Sequence, residues 1–260
     1  MQLWLCPLVA FLLGSIPVGL LIAKARGIDI RKQGSGNIGA TNVLRVMGKR
    51  YGLPCLLLDA LKGAVPTLLA ITLIRFEGQP PSAMAIPFLL PYATTLPAEQ
   101  QFIAQLLGVV TGLCAILGHN YSPWVGFKGG KGIATSAGVV LALMPAVLVI
   151  LVLLWYLLFR CTRYVSVASM SVVALLPVIT HLGARFHHVN NDKSMPTLWE
   201  AGTWNKPLFG LAVAIAVLGI WKHRANLQRL LAGTENRFEK RQKTPRQKTE
   251  DKSEDEPIDG

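Results

Sequence analysis

Apolar residues fill six long blocks of this chain, at 3–23, 52–74, 102–117, 133–159, 165–182 and 208–221. A bilayer core takes roughly 20 apolar residues per crossing helix. Blocks of this kind use nearly all of the chain, leaving room for one membrane domain and no large soluble one. Between them lie short loops packed with Gly, Asn, His, Lys and Arg. Three stand out: GSGNIGATNVLR (34–45), GHNYSPWVGFKGGKG (118–132) and KHRANLQRLLAGTEN (222–236). Apolar helices with such loops at their ends suit a membrane enzyme or transporter that handles a phosphorylated small molecule.

Charge sets the expected topology, because Lys and Arg accumulate in cytoplasmic loops. The segment 24–50 holds seven Lys or Arg against one Asp, and reads as cytoplasmic. The loop 75–101 has one basic residue at its edge together with Glu77 and Glu99, and reads as external. A single crossing by 133–159 would then put Arg160, Arg163 and the basic segment after Trp221 outside. If that block enters and returns, every basic cluster falls inside. Pro145 sits near its middle, where it breaks a helix. Two arms of about 13 residues would each be roughly 20 Å long. The expectation is therefore an all-α integral membrane protein of seven helices: five full spans plus a short two-helix hairpin, N-terminus outside and C-terminus cytoplasmic. Short or broken helices of this kind often line binding sites.

Composition agrees: the chain is 52% hydrophobic and 15% charged, with a mean hydropathy of +0.43. Its net charge of +12 would suit a nucleic-acid partner, but the basic residues flank membrane segments, so none is expected. Residues 1–233 read as a single transmembrane catalytic domain, and 234–260 as a charged, disordered cytoplasmic tail. Cys6, Cys55, Cys114 and Cys161 lie in or beside apolar blocks without Cys-x-x-Cys spacing, and read as free thiols. The first block has no basic region before it and is too long for a secretory signal, so it reads as a retained helix.

In the first loop, Gly34, Gly36 and Gly39 match the letters of a dinucleotide-binding motif, but that motif needs a preceding strand and a βαβ unit. What carries over is that glycine lets backbone N–H groups approach an anion. A helix beginning near Ala40 would favour negative charge at its start. Ser35, Asn37, Thr41 and Asn42 are suited either to ligand contact or to capping and turns. Arg45 shares a helical face with Thr41 and suits bidentate phosphate binding. Asp59 and Lys62 form an i,i+3 pair inside an apolar block, where ionisable groups are costly and usually functional. A purely structural pair is the alternative.

GFKGGKG lacks the Ser or Thr that follows the lysine of a nucleotide-binding loop. Lys128, Lys131, Gly129 and Gly130 still place ammonium groups and flexible backbone just before a helix. His119 opens this loop, as an interfacial hydrogen-bonding residue or as a catalyst. In the third loop, His223, Asn226 and Arg229 share a helical face, while Glu235 follows a helix-ending Gly233 and suits a structural counter-charge. His187 and Asp192 fit a His-x-x-x-x-Asp signature, but fall in a loop expected outside, away from the other clusters. No His/Asp/Glu cluster has ligand spacing, so neither metal nor cofactor is expected.

SGNIGATNVLR with LDALKG, GHNYSPWVGFKGGKG and HRANLQRLLAGTEN together resemble the motif set of bacterial acyl-phosphate:glycerol-3-phosphate acyltransferases of the PlsY type. The resemblance implies transfer of a fatty acyl group from an acyl phosphate to the 1-hydroxyl of glycerol 3-phosphate. The products would be lysophosphatidic acid and inorganic phosphate, in the first acylation of bacterial phospholipid synthesis. It implies that Ser35 and Arg45 are needed for activity, that the loop through Lys131 binds glycerol 3-phosphate, that His223 and Asn226 serve catalysis, and that Glu235 supports structure. Taken together, the expected catalytic set is Ser35, Arg45, His223, Asn226 and His119. The phosphate-binding set is Gly36, Asn37, Lys62, Gly129, Gly130 and Lys131, with Glu235 and Asp59 as support. His119, His223 and the substrate phosphate all remain open as proton acceptor. The expected partners are the two substrates and membrane lipid, for a monomer in the bacterial inner membrane with its site facing the cytoplasm. An organic-phosphate transporter is the runner-up; it lacks any second-half copy of the motifs.

Overall fold

The computed structural model describes residues 5–77, 81–82, 84–189 and 205–238. Ten α-helices make up almost all of this: α1 (Leu5–Ser15), α2 (Val18–Lys24), α3 (Ala40–Met47), α4 (Lys49–Thr72), α5 (Gln101–Asn120), α6 (Ile133–Leu143), α7 (Pro145–Thr162), α8 (Val165–Val189), α9 (Asn205–Lys222) and α10 (Arg224–Leu231). Among the described residues, five stretches are long and apolar enough to cross a membrane: Leu5–Lys24, Lys49–Thr72, Phe102–Val125, Pro145–Thr162 and Val165–Leu182. The last expected span reaches that length only through the bent pair Lys206–Lys222 and Arg224–Leu231, which turns by 52°.

The block 133–159 does break beside Pro145, at Met144, whose φ of −144° and ψ of 65° leave the helical region. The two arms are unequal, however: 11 residues in α6 and 18 in α7. Proline is well tolerated at the first position of a helix, so Pro145 starts α7, and nothing stops that helix before Thr162. The expected pair of matched short arms is therefore one short helix beside one of membrane-crossing length.

Glycines let the helices approach closely. A Cβ on Gly138 of α6 would lie 1.9 Å from the Ala60 carbonyl oxygen of α4, and one on Gly63 would lie 2.2 Å from that of Thr135. Gly14 and Gly118 bring α1 and α5 together in the same way. Apolar surface is no driving force between helices in lipid, and small residues permit the backbone contact that replaces it. The main apolar core joins Ile116, Val139, Leu151, Val173, Leu176, Leu211 and Ile215 from α5 to α9. A second core packs α2, α3 and α4 through Leu20, Ile30, Val43 and Cys55. In α7 the sole buried residue is Leu151. Val149, Leu153 and Leu157 are more than half exposed, a face suited to hydrocarbon.

The loop between α4 and α5 is folded. β1 (Ile74–Phe76) and β2 (Thr94–Leu96) pair in parallel, with Ile74 opposite Thr94 and Phe76 opposite Leu96. Thr72 Oγ1 accepts the Ile86 N–H at 3.0 Å, tying the connection back to the end of α4.

Candidate active site

The first loop is shaped by Asn42, a buried residue of α3. Its Oδ1 accepts the Ser35 N–H at 2.8 Å, and its Nδ2 donates to the carbonyls of Ile30 (3.2 Å) and Gln33 (2.9 Å). Gly34 adopts φ +60°, and a Cβ there would lie 2.3 Å from Asn42 Oδ1. Asn37 Oδ1 takes the Gly39 N–H at 2.8 Å and turns the chain into α3. The Gly36 N–H donates to Gln33 O at 3.0 Å. These amide donors are thus occupied by the loop itself, not held free as an anion cradle. The loop presents side chains instead: Ser35, Asn37, Thr41 and Arg45 all line one cavity of about 530 Å³.

The second loop is moulded on the end of α5. The Gly130 N–H donates to His119 O at 3.1 Å, and a Cβ on Gly130 would lie 2.1 Å from His119 Nε2. Any side chain there would displace the imidazole. Gly132, at φ +82°, caps the start of α6. Lys131, between them, lines the cavity and donates to Asn226 Oδ1. Burial lowers its amine from 10.5 to about 8, although the nearby Glu235 carboxylate pulls the other way. Gly129, Gly130 and Lys128 do not line the cavity.

The third loop supplies a chain of polar contacts. Asn226 Nδ2 donates to Glu235 Oε1 at 2.6 Å, and Arg229 Nε donates to Glu235 Oε2 at 2.8 Å. Lys131, Asn226, Glu235 and Arg229 are therefore linked in series across two loops. Burial raises the Glu235 carboxyl, but the hydrogen bonds from Asn226 and Arg229 outweigh it and hold the group below its ordinary value. The buried His223 ring places Nδ1 2.7 Å from Gly219 O. A carbonyl accepts, so Nδ1 carries the hydrogen and Nε2 is left as the acceptor of a neutral ring.

Below these loops, Asp59 and Lys62 form the pair their spacing suggests. Lys62 Nζ lies 2.9 Å from Asp59 Oδ1 and also donates to Ile16 O at 2.9 Å, at the break between α1 and α2. Its ammonium is engaged there, and Lys62 does not line the cavity. Asp59 and His119 do, with His119 Nδ1 3.7 Å from Asp59 Oδ1. That distance is too long for a hydrogen bond.

Of the residues expected at the site, Ser35, Asn37, Arg45, Asp59, His119, Lys131, His223, Asn226 and Glu235 line this cavity; Gly36, Lys62, Gly129 and Gly130 stand behind it. Sequence reasoning missed its apolar half: Leu148, Leu151, Trp155, Val173, Leu176 and Ile215. It also missed Ser166 and Ser169, which line the cavity from α8, with Ser169 Oγ accepting Trp155 Nε1 at 3.1 Å. The signal was present, since 166, 169, 173 and 176 recur at the spacing of one helical face. The cavity is thus cationic and hydrogen-bonding at one end and lined with hydrocarbon at the other.

Known proteins resemble this one along most of its length. The family model described as glycerol-3-phosphate acyltransferase matches residues 4–233. A protein named glycerol-3-phosphate acyltransferase from Geobacter metallireducens is 41% identical over 230 residues, covering 88% of this chain and 94% of that one. One of the same name from Aquifex aeolicus is 37% identical over 229 residues, with 88% and 95% covered. Two crystal structures of PlsY (YgiH), an integral membrane glycerol 3-phosphate acyltransferase, share the fold. The glycerol 3-phosphate form superposes with a TM-score of 0.67 at 35% identity, covering 92% of this chain and 96% of that one. The lysophosphatidic acid form gives 0.64 at 34%, with the same coverage.

Proposed function

The chain belongs to the glycerol-3-phosphate acyltransferase family, and for this multi-pass membrane acyltransferase we propose an acyl phosphate as the donor. The reaction is attack of the glycerol 3-phosphate 1-hydroxyl on the acyl carbon, releasing inorganic phosphate and lysophosphatidic acid. One observation carries this reading: a single cavity joins a cationic end at Arg45 and Lys131 to a hydrocarbon-lined end at Leu151, Trp155, Leu176 and Ile215. An acyl phosphate has that same division, a dianionic head on an alkyl chain. The acceptor adds a second phosphate, so the site must offset repulsion between two anions.

An acyl phosphate is already activated, so the reaction needs no acyl-enzyme. Arg45 and Lys131 hold phosphate, with Asn226 and Glu235 fixing the lysine. Ser35 and Asn37 supply hydrogen bonds at the same end, and Gly36, Gly129 and Gly130 serve by shaping their loops. Asp59 and Lys62 support the base of the site. Nε2 of His223 stands as an acceptor for the hydroxyl proton, and His119 or the substrate phosphate are the other candidates. Alignment of two bound reactants contributes about 7–11 kcal/mol of barrier reduction in favourable cases. Seven helices with the N-terminus outside, a cytoplasmic site in a bacterial inner membrane and a monomeric catalytic domain over 1–233 complete the proposal. Of the proposed 234–260 tail, residues 239–260 lie outside the described structure, as does Asp192.

The test is phosphate release by the purified protein in detergent given palmitoyl phosphate, with and without glycerol 3-phosphate. Release that requires the acceptor and matches lysophosphatidic acid formation is expected. Folded protein that releases no phosphate defeats the reading.

A further inference from the structure

Arg45 makes no hydrogen bond or ion pair with protein among the described residues; its contact is the ring of Phe238, 5.2 Å from the guanidinium carbon. Phe238 follows the end of α10, beyond the family match at 4–233. After Gly233, at φ +69°, the chain leaves α10 as a short strap. Glu235 ties its start to Asn226 and Arg229. Its far end is tied to the turn between α7 and α8: the Phe238 N–H donates to Arg163 O at 3.0 Å. The Phe238 ring packs edge-on against Phe159, centroids 5.8 Å apart at 79°, and Arg237 stacks over Tyr164 at 5.7 Å. One aromatic ring therefore bridges α7 and the Arg45 guanidinium.

Outside the strap lies an open groove of about 630 Å³ lined by Leu44, Arg45, Glu235, Asn236, Arg237 and Phe238. Leu44, Arg45, Glu235 and Asn236 also line the inner cavity. Arg45 thus stands in the wall shared by an open, cationic groove and the reaction cavity. A water-soluble anion arriving from the groove side meets Arg45 before it meets Lys131. The acyl chain belongs at the opposite, apolar end.

We propose that Phe238 is a positioning residue that holds Arg45, through its ring face and its anchorage on Phe159, to receive the phosphate of the soluble acceptor, glycerol 3-phosphate. This rests on the acyltransferase reading above. An aromatic face attracts a guanidinium through its quadrupole while leaving the in-plane N–H donors free for a bidentate phosphate contact. A carboxylate partner would have consumed those donors.

The experiment measures steady-state phosphate release by the full-length wild type, Phe238→Leu and Phe238→Tyr, varying glycerol 3-phosphate and palmitoyl phosphate in turn. Phe238→Leu keeps apolar contact with Phe159 but removes the ring face; Phe238→Tyr keeps both. The leucine variant is expected to raise KM for glycerol 3-phosphate by about 3- to 30-fold, the range of a partly desolvated cation–π contact. Its kcat and its KM for palmitoyl phosphate stay unchanged, and the tyrosine variant behaves as wild type. Equal behaviour of the two variants, or a shift in the palmitoyl phosphate KM instead, overturns the assignment. Should Phe238→Leu fail to purify folded, Phe238→Met takes its place with the same outcomes. An inactive wild type would instead defeat the acyltransferase reading, so the two failures are distinguishable.

Discussion

Lys131 holds its charge under protest from its surroundings, and that gives the site a pH signature. Burial brings its amine from 10.5 down to about 8. The ammonium therefore predominates below pH 8 and is lost as the pH rises through it. We expect kcat/KM to fall above about pH 8 with the slope of a single proton, and Lys131→Arg, which stays charged, to lose that limb in whatever activity remains. Folding stability moves the other way, since between 8 and 10.5 the unfolded lysine binds a proton that the folded one does not. Arg45→Ala and Lys131→Ala should each abolish phosphate release while eluting as folded protein; near-normal turnover by either would remove the cationic end from the mechanism. Glu235→Gln keeps an acceptor for Asn226 but leaves Arg229 without its anion, at a cost of about 1–3 kcal/mol. A lowered unfolding temperature in detergent together with a raised KM would show that both loops depend on this carboxylate.

Among the helices, α4 and α6 depend on contacts too close for any side chain. Gly138 meets the Ala60 carbonyl and Gly63 meets that of Thr135. Gly138→Leu should force α6 away from α4, at a cost of about 1–3 kcal/mol or more. As α6 carries Ile133, Ser136 and Ala137 into the cavity wall, activity should fall with it. Gly210→Ala is the control, because a Cβ there meets nothing within 4 Å. Thermal unfolding of both variants separates packing from a general intolerance of larger residues. The same glycines explain why α6 stays in place although it is only 11 residues long: it is held by helix contacts on the protein side, not by its own span.

For the whole molecule, the topology we propose from the distribution of Lys and Arg has the three polar loops on one side and the 75–101 loop on the other. In a Cys161→Ser background, Ser82→Cys should react with a membrane-impermeant thiol reagent on intact cells. Lys128→Cys, exposed in the second loop, should react only after the inner membrane is opened. The reverse pattern would invert the proposed topology.

Hydrophobic blocks, basic clusters and three motif loops were enough to foresee a helical membrane protein, a break beside Pro145 and nine of the residues that face the cavity. These are local properties: bilayer thickness sets block length, proline removes a backbone donor, and residues close in a loop stay close in space. Long-range pairing was not legible. Nothing in the spacing tells that Lys131 meets Asn226, 95 residues away, or that the ammonium of Lys62 also reaches the Ile16 carbonyl. The hydrocarbon half of the cavity was hidden for the same reason. In a chain this apolar, a residue facing a substrate tail, a neighbouring helix or lipid has the same composition, and only packing in three dimensions separates them.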